Sequence, residues 1–500
     1  MQKRKFWLPF LLAATLALAG CGSEKQQKKT SKEEEVELYI FNSKGEISDA
    51  MEELAADYKK QTGVSVRVFN TQAGEHHMKA LRALMNEKVK PDIYTVQSVA
   101  ELEEWESYDY VMDFSKSKNL TDEFKELADN IPEGLRLTTE DGTNYGVPYN
   151  IEGYGYMVDT QMLADIFGEG NTQKILEDLR LCNYSDWENC VKALGEFIDN
   201  GTTTNVSING NSYAIQSKNG LAKKLTGVFA VAGSESWTYG DHMLNVAVCA
   251  GLQNVSQAQN ATKEQVQNLK PAFVAYAKAL DLKTTYAAGE NGHLTRSADM
   301  ISASTNSYDM AISKFANSRA IFFKNGNWTA SSIEAINSDV AARLTFIPVK
   351  LPIEDSDIKV EELTAEKMNQ TIPVFASMYY AINNRNDEAH KKAAEDFLVW
   401  LNTSETGMKY QTEVFQFIPY NADPETTTVS NALGNSIIQY VNWGGTLANP
   451  YNGAPSNWGG NTVGTYLLKN YLSKAPWGQA DYETIADYAV DKWISMAGLN

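Results

Sequence analysis

A chain of 500 residues is long enough for two packed units, and 43% hydrophobic with 21% charged residues is the composition of an ordinary globular protein. Those values exclude a disordered chain, a collagen-like chain and a polytopic membrane protein. With 63 Asp and Glu against 44 Lys and Arg the formal charge is −19, a surface that repels phosphate backbones and leaves nucleic acid out as a partner.

Lys3-Arg4-Lys5 precede an apolar run over 6–19 that is too short to span a bilayer comfortably and is followed by small residues, as in an export signal. Leu18-Ala19-Gly20-Cys21 resembles a bacterial lipobox, which implies cleavage before Cys21 and acylation of that residue. Several acyl chains hold a protein stably where one binds only marginally. Removal of residues 1–20, with three basic and no acidic groups, takes the formal charge from −19 to −22. Residues 21–35 carry no apolar periodicity and read as a flexible tether, so the folded part begins near Val36, at the extracytoplasmic face of a cell membrane.

Residues 36–41 predict a strand, and Ile47, Met51, Leu54 and Tyr58 recur at helical spacing with Ser48 as N-cap and Gly63 as stop. Val64, Val66 and Val68 alternate as a half-buried strand. A second helix is expected over 76–87 and a third strand over 91–96. Strand, helix, strand, helix, strand is the pattern of a parallel α/β sheet, whose ligands sit beyond the carboxyl ends of the strands. The loops 42–46 and 97–99 occupy those ends. Further on, Ser185 starts a capping box for a helix through Trp187, Val191, Leu194 and Ile198 that Gly201 ends. Residues 202–220 read as a loop or hairpin, 388–401 as a helix, and 482–496 as a last helix.

Catalytic signatures are missing. The sequence has no phosphate-cradling glycine loop and no nucleophile elbow, and His76-His77 lacks zinc-helix spacing and reads as a solvated helix start. No motif calls for a cofactor or a metal. A carboxylate pair for glycoside hydrolysis is not excluded by counting acids. Cys190 falls on an apolar helix face, where a buried thiol is the default; a Cys182–Cys190 disulfide stays open, while the odd third cysteine, Cys249, argues against a disulfide framework.

Several segments in fixed order resemble the family 1 extracellular solute-binding proteins, the sugar-binding subunits of bacterial ABC importers. They are Pro91-Asp92-Ile93-Tyr94, the crossing segment 145–156 (YGVPYNIEGYGY), the Trp187 helix, the block 315–328, Ile347-Pro348, Tyr380-Ala381-Ile382-Asn383 and the helix over 397–407. Ser318 departs from the family's frequent glycine, and Val158-Asp159-Thr160 from its frequent Tyr-Asn-Lys. The resemblance implies a two-lobed, periplasmic-binding-protein-like α/β fold, with lobes of 36–149 plus 371–414 and 150–370 plus 415–500 joined by crossing hinge segments. It further implies a monomer that captures a neutral oligosaccharide between the lobes and delivers it to an ABC permease.

A sugar offers flat C–H faces to aromatic rings and a rim of hydroxyls to carboxylates and amides. Trp328, after the polar Asn325-Gly326-Asn327 turn, matches the family's stacking tryptophan, and Glu152 its ligand carboxylate. Tyr149, Asn150 and Tyr154 flank Glu152 and serve either as contacts or as hinge packing. Lys44 and Glu46, and Gln97 and Ser98, lie on the strand-exit loops, where contact and surface readings balance. Glu235 and Trp237 sit in a glycine-bounded loop. Tyr379 and Tyr380 alternate on a strand, so at most one faces the cleft. Trp443 lacks helical periodicity and lies where the family often places an aromatic; Trp458 is a weaker candidate of the same kind. Trp187, Trp400, Trp477 and Trp493 are assigned to core. Two other functions stay open at this point: an exported carbohydrate-active enzyme, and a lobe pair that presents sugar to a membrane sensor.

Overall fold

β1 (Glu37–Asn42) is buried from Leu38 onward because it lies between two parallel neighbours, β2 (Ser65–Asn70) and β3 (Ile93–Val96). The computed structural model that shows this describes residues 36–71, 75–138 and 142–499; the expected signal over 1–20, the expected lipidation site Cys21 and the expected tether over 21–35 lie outside the described residues. The helix Ser48–Thr62 carries the chain from β1 to β2 and buries Met51, Leu54 and Tyr58. It stops at Gly63, whose φ of 84° is the left-handed conformation glycine takes without a Cβ clash. Ser48 is not its N-cap: a 3₁₀ turn, Gly45–Ile47, leads in, and the Ser48 hydroxyl donates to Gly45 O at 2.8 Å. The helix Glu75–Met85 connects β2 to β3.

Two long antiparallel strands form the joint of the molecule. β4 (Val147–Asp159) pairs with the strand Ile372–Ile382 through residues 147–153, then leaves it for two others through residues 154–159. Between these crossing strands comes a hairpin, β5 (Asn205–Ile208) and β6 (Asn211–Ala214), inside the segment read as loop or hairpin. Asn209-Gly210 turn it at φ 51° and 78°, values that favour these two residues. β7 (Gly227–Ala230) runs parallel to β8 (Ala320–Gly326), and β8 and β9 (Leu344–Ile347) both pair with β4. The second crossing strand, Ile372–Ile382, is β10, and β11 (Thr446–Leu447) adds to its start. The sheet order is thus β2-β1-β3-β10-β4-β8-β7.

Each sheet half has its own core. Leu38, Ile40 and Leu54 pack with Phe397 and Leu398 of the helix Glu388–Thr403. Val158, Phe229 and Phe322 pack with Trp187 of the helix Tyr184–Asn200 and Trp493 of the helix Gln479–Met496. A third cluster, including Ile151, Met157, Phe323 and Ala376, runs along the junction. Among the described residues no helix is long and apolar enough to cross a membrane.

Local chemistry corrects several expectations. Asn183, not Ser185, caps the Trp187 helix, accepting from Asp186 N at 2.9 Å. His77 is not solvated: its ring is buried against Phe41 and lies 3.1 Å from the Glu101 carboxylate, while the side chain of His76 lies outside the described residues. Cys182, Cys190 and Cys249 are free and buried, so no disulfide joins the first two. Burial pushes all three thiols upward, Cys249 to about 12, which makes them small hydrophobes in effect. Trp458 belongs to the core, between Phe273 and Trp493, with Nε1 donating to Ala489 O at 2.8 Å. Trp187, Trp477 and Trp493 are buried as assigned, and Trp400 is half-buried against Tyr58 and Phe397. Ser318 has φ 62°, so the serine holds a backbone conformation that explains why glycine suits this position. Asp159 caps the next helix through Gln161 N and binds Arg343 through both oxygens, at 2.9 and 2.8 Å.

Candidate functional site

An open recess of about 310 Å³ forms where the exit of β1, the middle of β4, the exit of β8 and the segment 415–417 meet. Asn42 shapes the first of these. Its Oδ1 accepts from Lys44 N and from the Tyr149 hydroxyl, and its Nδ2 donates to Lys44 O, so the loop folds back and sends Lys44 inward. Glu152 and Asn150 lie on β4 with one residue between them and therefore on one face of the strand. Lys44 Nζ sits 2.6 Å from Glu152 Oε1 and 3.5 Å from Glu46; Asn150 Nδ2 donates to the same Oε1 at 3.0 Å. Lys44 and Glu152 are only 4% and 5% exposed. Burial disfavours the Lys44 cation, but the Glu152 and Glu46 carboxylates outweigh it and hold its pKa above the ordinary value. Among the described residues nothing donates to Glu152 Oε2, which leaves one carboxylate oxygen for another partner.

Trp328 follows β8 on the 3₁₀ turn Asn327–Thr329. A Cβ on Gly326 would overlap its indole, so glycine is required there. Asn327 Oδ1 accepts from Gly153 N at 3.1 Å and pins the turn to β4. Trp328 Nε1 donates to the Tyr308 hydroxyl at 2.9 Å, which fixes the ring plane. Tyr308, Trp237, His242 and Tyr154 continue an aromatic cluster from it, with ring centroids 4.8 to 6.3 Å apart. Burial, with Lys324 nearby as a lesser cause, pushes the His242 pKa well below its ordinary value. The recess thus combines a buried carboxylate with a free oxygen, a committed cation and a half-buried indole. That is chemistry for holding a polyhydroxylated ring.

Of the residues selected from sequence, Lys44, Glu46, Asn150, Glu152, Asn327 and Trp328 converge on this recess. Tyr149 supports it from the core, its ring 4.2 Å from Tyr380 and 5.4 Å from Phe417. Tyr154 and Trp237 join through the aromatic cluster; Glu235 sits just before Trp237 and accepts from Ser234 Oγ at 3.0 Å. The other selected residues do not line the recess. Ser98 caps the helix Val99–Ser107 and Gln97 N donates to Glu101, both local duties of a helix start. Tyr379 is buried in the junction core with Leu137 and Tyr145. Trp443 is 54% exposed and packs on Tyr440 and over the Arg180 guanidinium. Phe415, Gln416 and Phe417 are recess residues that sequence reasoning missed. They arrive because Ile418 bridges to Ile151 and donates to Asn150 Oδ1, and no local pattern announces that pairing.

A second recess of about 310 Å³, near Met112, Lys118, Asn384 and Glu395, lacks an aromatic platform, and its Glu395 carboxylate already accepts from Thr121 N. Among the described residues no group of three or more His, Cys, Asp or Glu is placed to hold a metal ion.

The model of the bacterial extracellular solute-binding protein family matches residues 53–432. No curated protein matches the sequence. Among solved structures the chain resembles a chitin oligosaccharide binding protein, at 15% identity and a TM-score of 0.60 over 93% of this chain and 99% of that one. It also resembles the solute-binding protein RafE in complex with raffinose, at 16% identity and a TM-score of 0.56 over 92% and 100%. The GacH receptor of Streptomyces glaucescens, solved unliganded and with acarbose, is similar at 13% identity and a TM-score of 0.58 over 92% and 98%. The fold is accordingly the two-lobed, periplasmic-binding-protein-like α/β fold, with β4 and β10 as its crossing segments.

Proposed function

We propose that this chain, which belongs to the bacterial extracellular solute-binding protein family, captures an oligosaccharide between its two lobes and delivers it to the permease of an ABC importer. The family and the structural neighbours are binding proteins and not enzymes, which sets the carbohydrate-active enzyme aside. The observation that carries the reading is the recess where Glu152, with one oxygen free, lies with the indole of Trp328. The neighbours named for raffinose and chitin oligosaccharides support a ligand of more than one sugar unit.

In this reading the lobes comprise 36–149 plus 371–414 and 150–370 plus 415–500, and closure is a hinge motion about β4 and β10. Cleavage before Cys21, acylation there and the tether over 21–35 hold a monomer at the extracytoplasmic face of the membrane. Titration calorimetry against a panel of neutral oligosaccharides, with tryptophan fluorescence alongside, tests it. At least one glycan binds and none is shortened, and Trp328→Ala and Glu152→Gln each weaken binding at least about tenfold. A panel without a single binder sinks the function, and undiminished affinity in both variants sinks the site.

A further inference from the structure

Gln416 stands out within the recess on two independent counts. The first is its backbone. The helical turns Glu405–Lys409 and Tyr410–Val414 end with Phe415 N donating to Tyr410 O at 2.8 Å and Phe417 N to Gln411 O at 2.7 Å, and Gln416 closes that end at φ 59°. Glycine is the usual residue at such a left-handed helix end, because a Cβ crowds the following carbonyl. The second is its side chain. Nε2 donates to Glu334 Oε2 at 3.3 Å, whereas Oε1 is buried and accepts no hydrogen bond among the described residues. A carboxylate only accepts, so the bond to Glu334 settles which end of the amide is the oxygen.

A residue needed only to end the helix is better as glycine, and one needed only for polarity does not bury a bare carbonyl. Both costs fall on one side chain at the recess wall, the pattern of a functional position. We propose that Gln416 is a ligand-contacting residue that sets specificity, its Oε1 leaving its buried position to accept a hydrogen bond from a hydroxyl of the bound sugar. This rests on the carbohydrate-binding reading above and assigns a residue to the selectivity for a neutral sugar. Among the described residues the charged groups of the lining are two carboxylates, Glu46 and Glu152, against the single cation Lys44, and Gln416 Oε1 adds a further acceptor. Such a set matches a neutral sugar whose hydroxyls donate, and it refuses a sugar bearing a carboxylate.

The test compares Gln416→Gly and Gln416→Met with the unmodified protein, by thermal midpoint and by calorimetry with the neutral oligosaccharide that binds best and a uronic-acid oligosaccharide of equal length. Gly removes both the backbone cost and the bare carbonyl, so its midpoint rises; Met keeps the strained backbone but removes the bare carbonyl, so its midpoint rises less. Both variants weaken binding of the neutral sugar about tenfold, and the uronic-acid oligosaccharide binds the unmodified protein more weakly than the neutral one. Equal affinity in both variants while the unmodified protein binds overturns this proposal alone, as does preference for the acidic sugar. If the unmodified protein binds no neutral oligosaccharide, the functional reading falls and this proposal falls with it.

Discussion

Replacing Lys44 by methionine keeps the length of the side chain and removes its charge from a buried pair. Nζ lies 2.6 Å from Glu152 Oε1, and neither residue is more than 5% exposed. Breaking such a pair strands a carboxylate away from water, a loss of about 3–5 kcal/mol. Asn150 still donates to Glu152 Oε1 at 3.0 Å, and one oxygen still reaches the recess, which puts the expected loss near the lower end, about 3 kcal/mol. The double replacement Lys44→Met with Glu152→Gln removes the stranded charge and falls within about 1 kcal/mol of the unmodified protein. Denaturant unfolding of all four proteins gives the coupling energy directly. A Lys44→Met protein within about 0.5 kcal/mol of the unmodified one refutes the reasoning, since that is the range of an ordinary surface change. The pH dependence carries a sign. Because the folded-state pKa of Lys44 is raised from 10.5, the pair's contribution is complete below pH 10.5 and is lost as pH rises through the folded value. Alkaline unfolding is therefore steeper for the unmodified protein than for Lys44→Met.

Ser318→Gly relieves a left-handed backbone at φ 62° and stabilises by about 1 kcal/mol, read from the denaturant midpoint; no gain would mean that the serine side chain repays its strain. His242 has a depressed folded pKa, so its contribution is complete above pH 6.5 and lost as pH falls below it. A His242→Phe protein shows a flatter fall in thermal midpoint on acidification, and parallel curves would refute the assignment. With Cys182, Cys190 and Cys249 free, a reducing agent leaves the thermal midpoint unchanged, and a drop would reveal a disulfide.

Local pattern carried much of the fold. The helix Ser48–Thr62 and the helix Tyr184–Asn200 were legible because their apolar residues repeat at helical spacing and each stops at a left-handed glycine, Gly63 or Gly201. Caps were misread by a residue or two, at Ser48 and Ser185, since several polar side chains near a helix start can accept the same orphan N–H groups. Glu152 was legible as a lone carboxylate in an apolar crossing strand, and Trp328 as an aromatic after a polar turn. Composition alone could not separate Trp328 from Trp443 or Trp458. Trp328 and Trp458 follow polar stretches, whereas Trp443, expected to lack helical periodicity, ends the helix Ala432–Asn442, whose buried Leu433, Ile437 and Tyr440 recur at helical spacing. Trp328 lies at the recess, Trp443 is exposed over Arg180 and Trp458 is core.

What the sequence determined by itself was the alternation of strands and helices, the acidic charge and the chemical kinds of residue available for a site. The tertiary structure decided which of them meet. Lys44 and Glu152 are 108 residues apart, and Gln416 and Phe417 reach the recess only because Ile418 bridges to Ile151. Spacing and propensity report on neighbours within a few residues, whereas a site of this kind is assembled by sheet register across hundreds. Only the pairing of β4 with β10 and β8 sets that register.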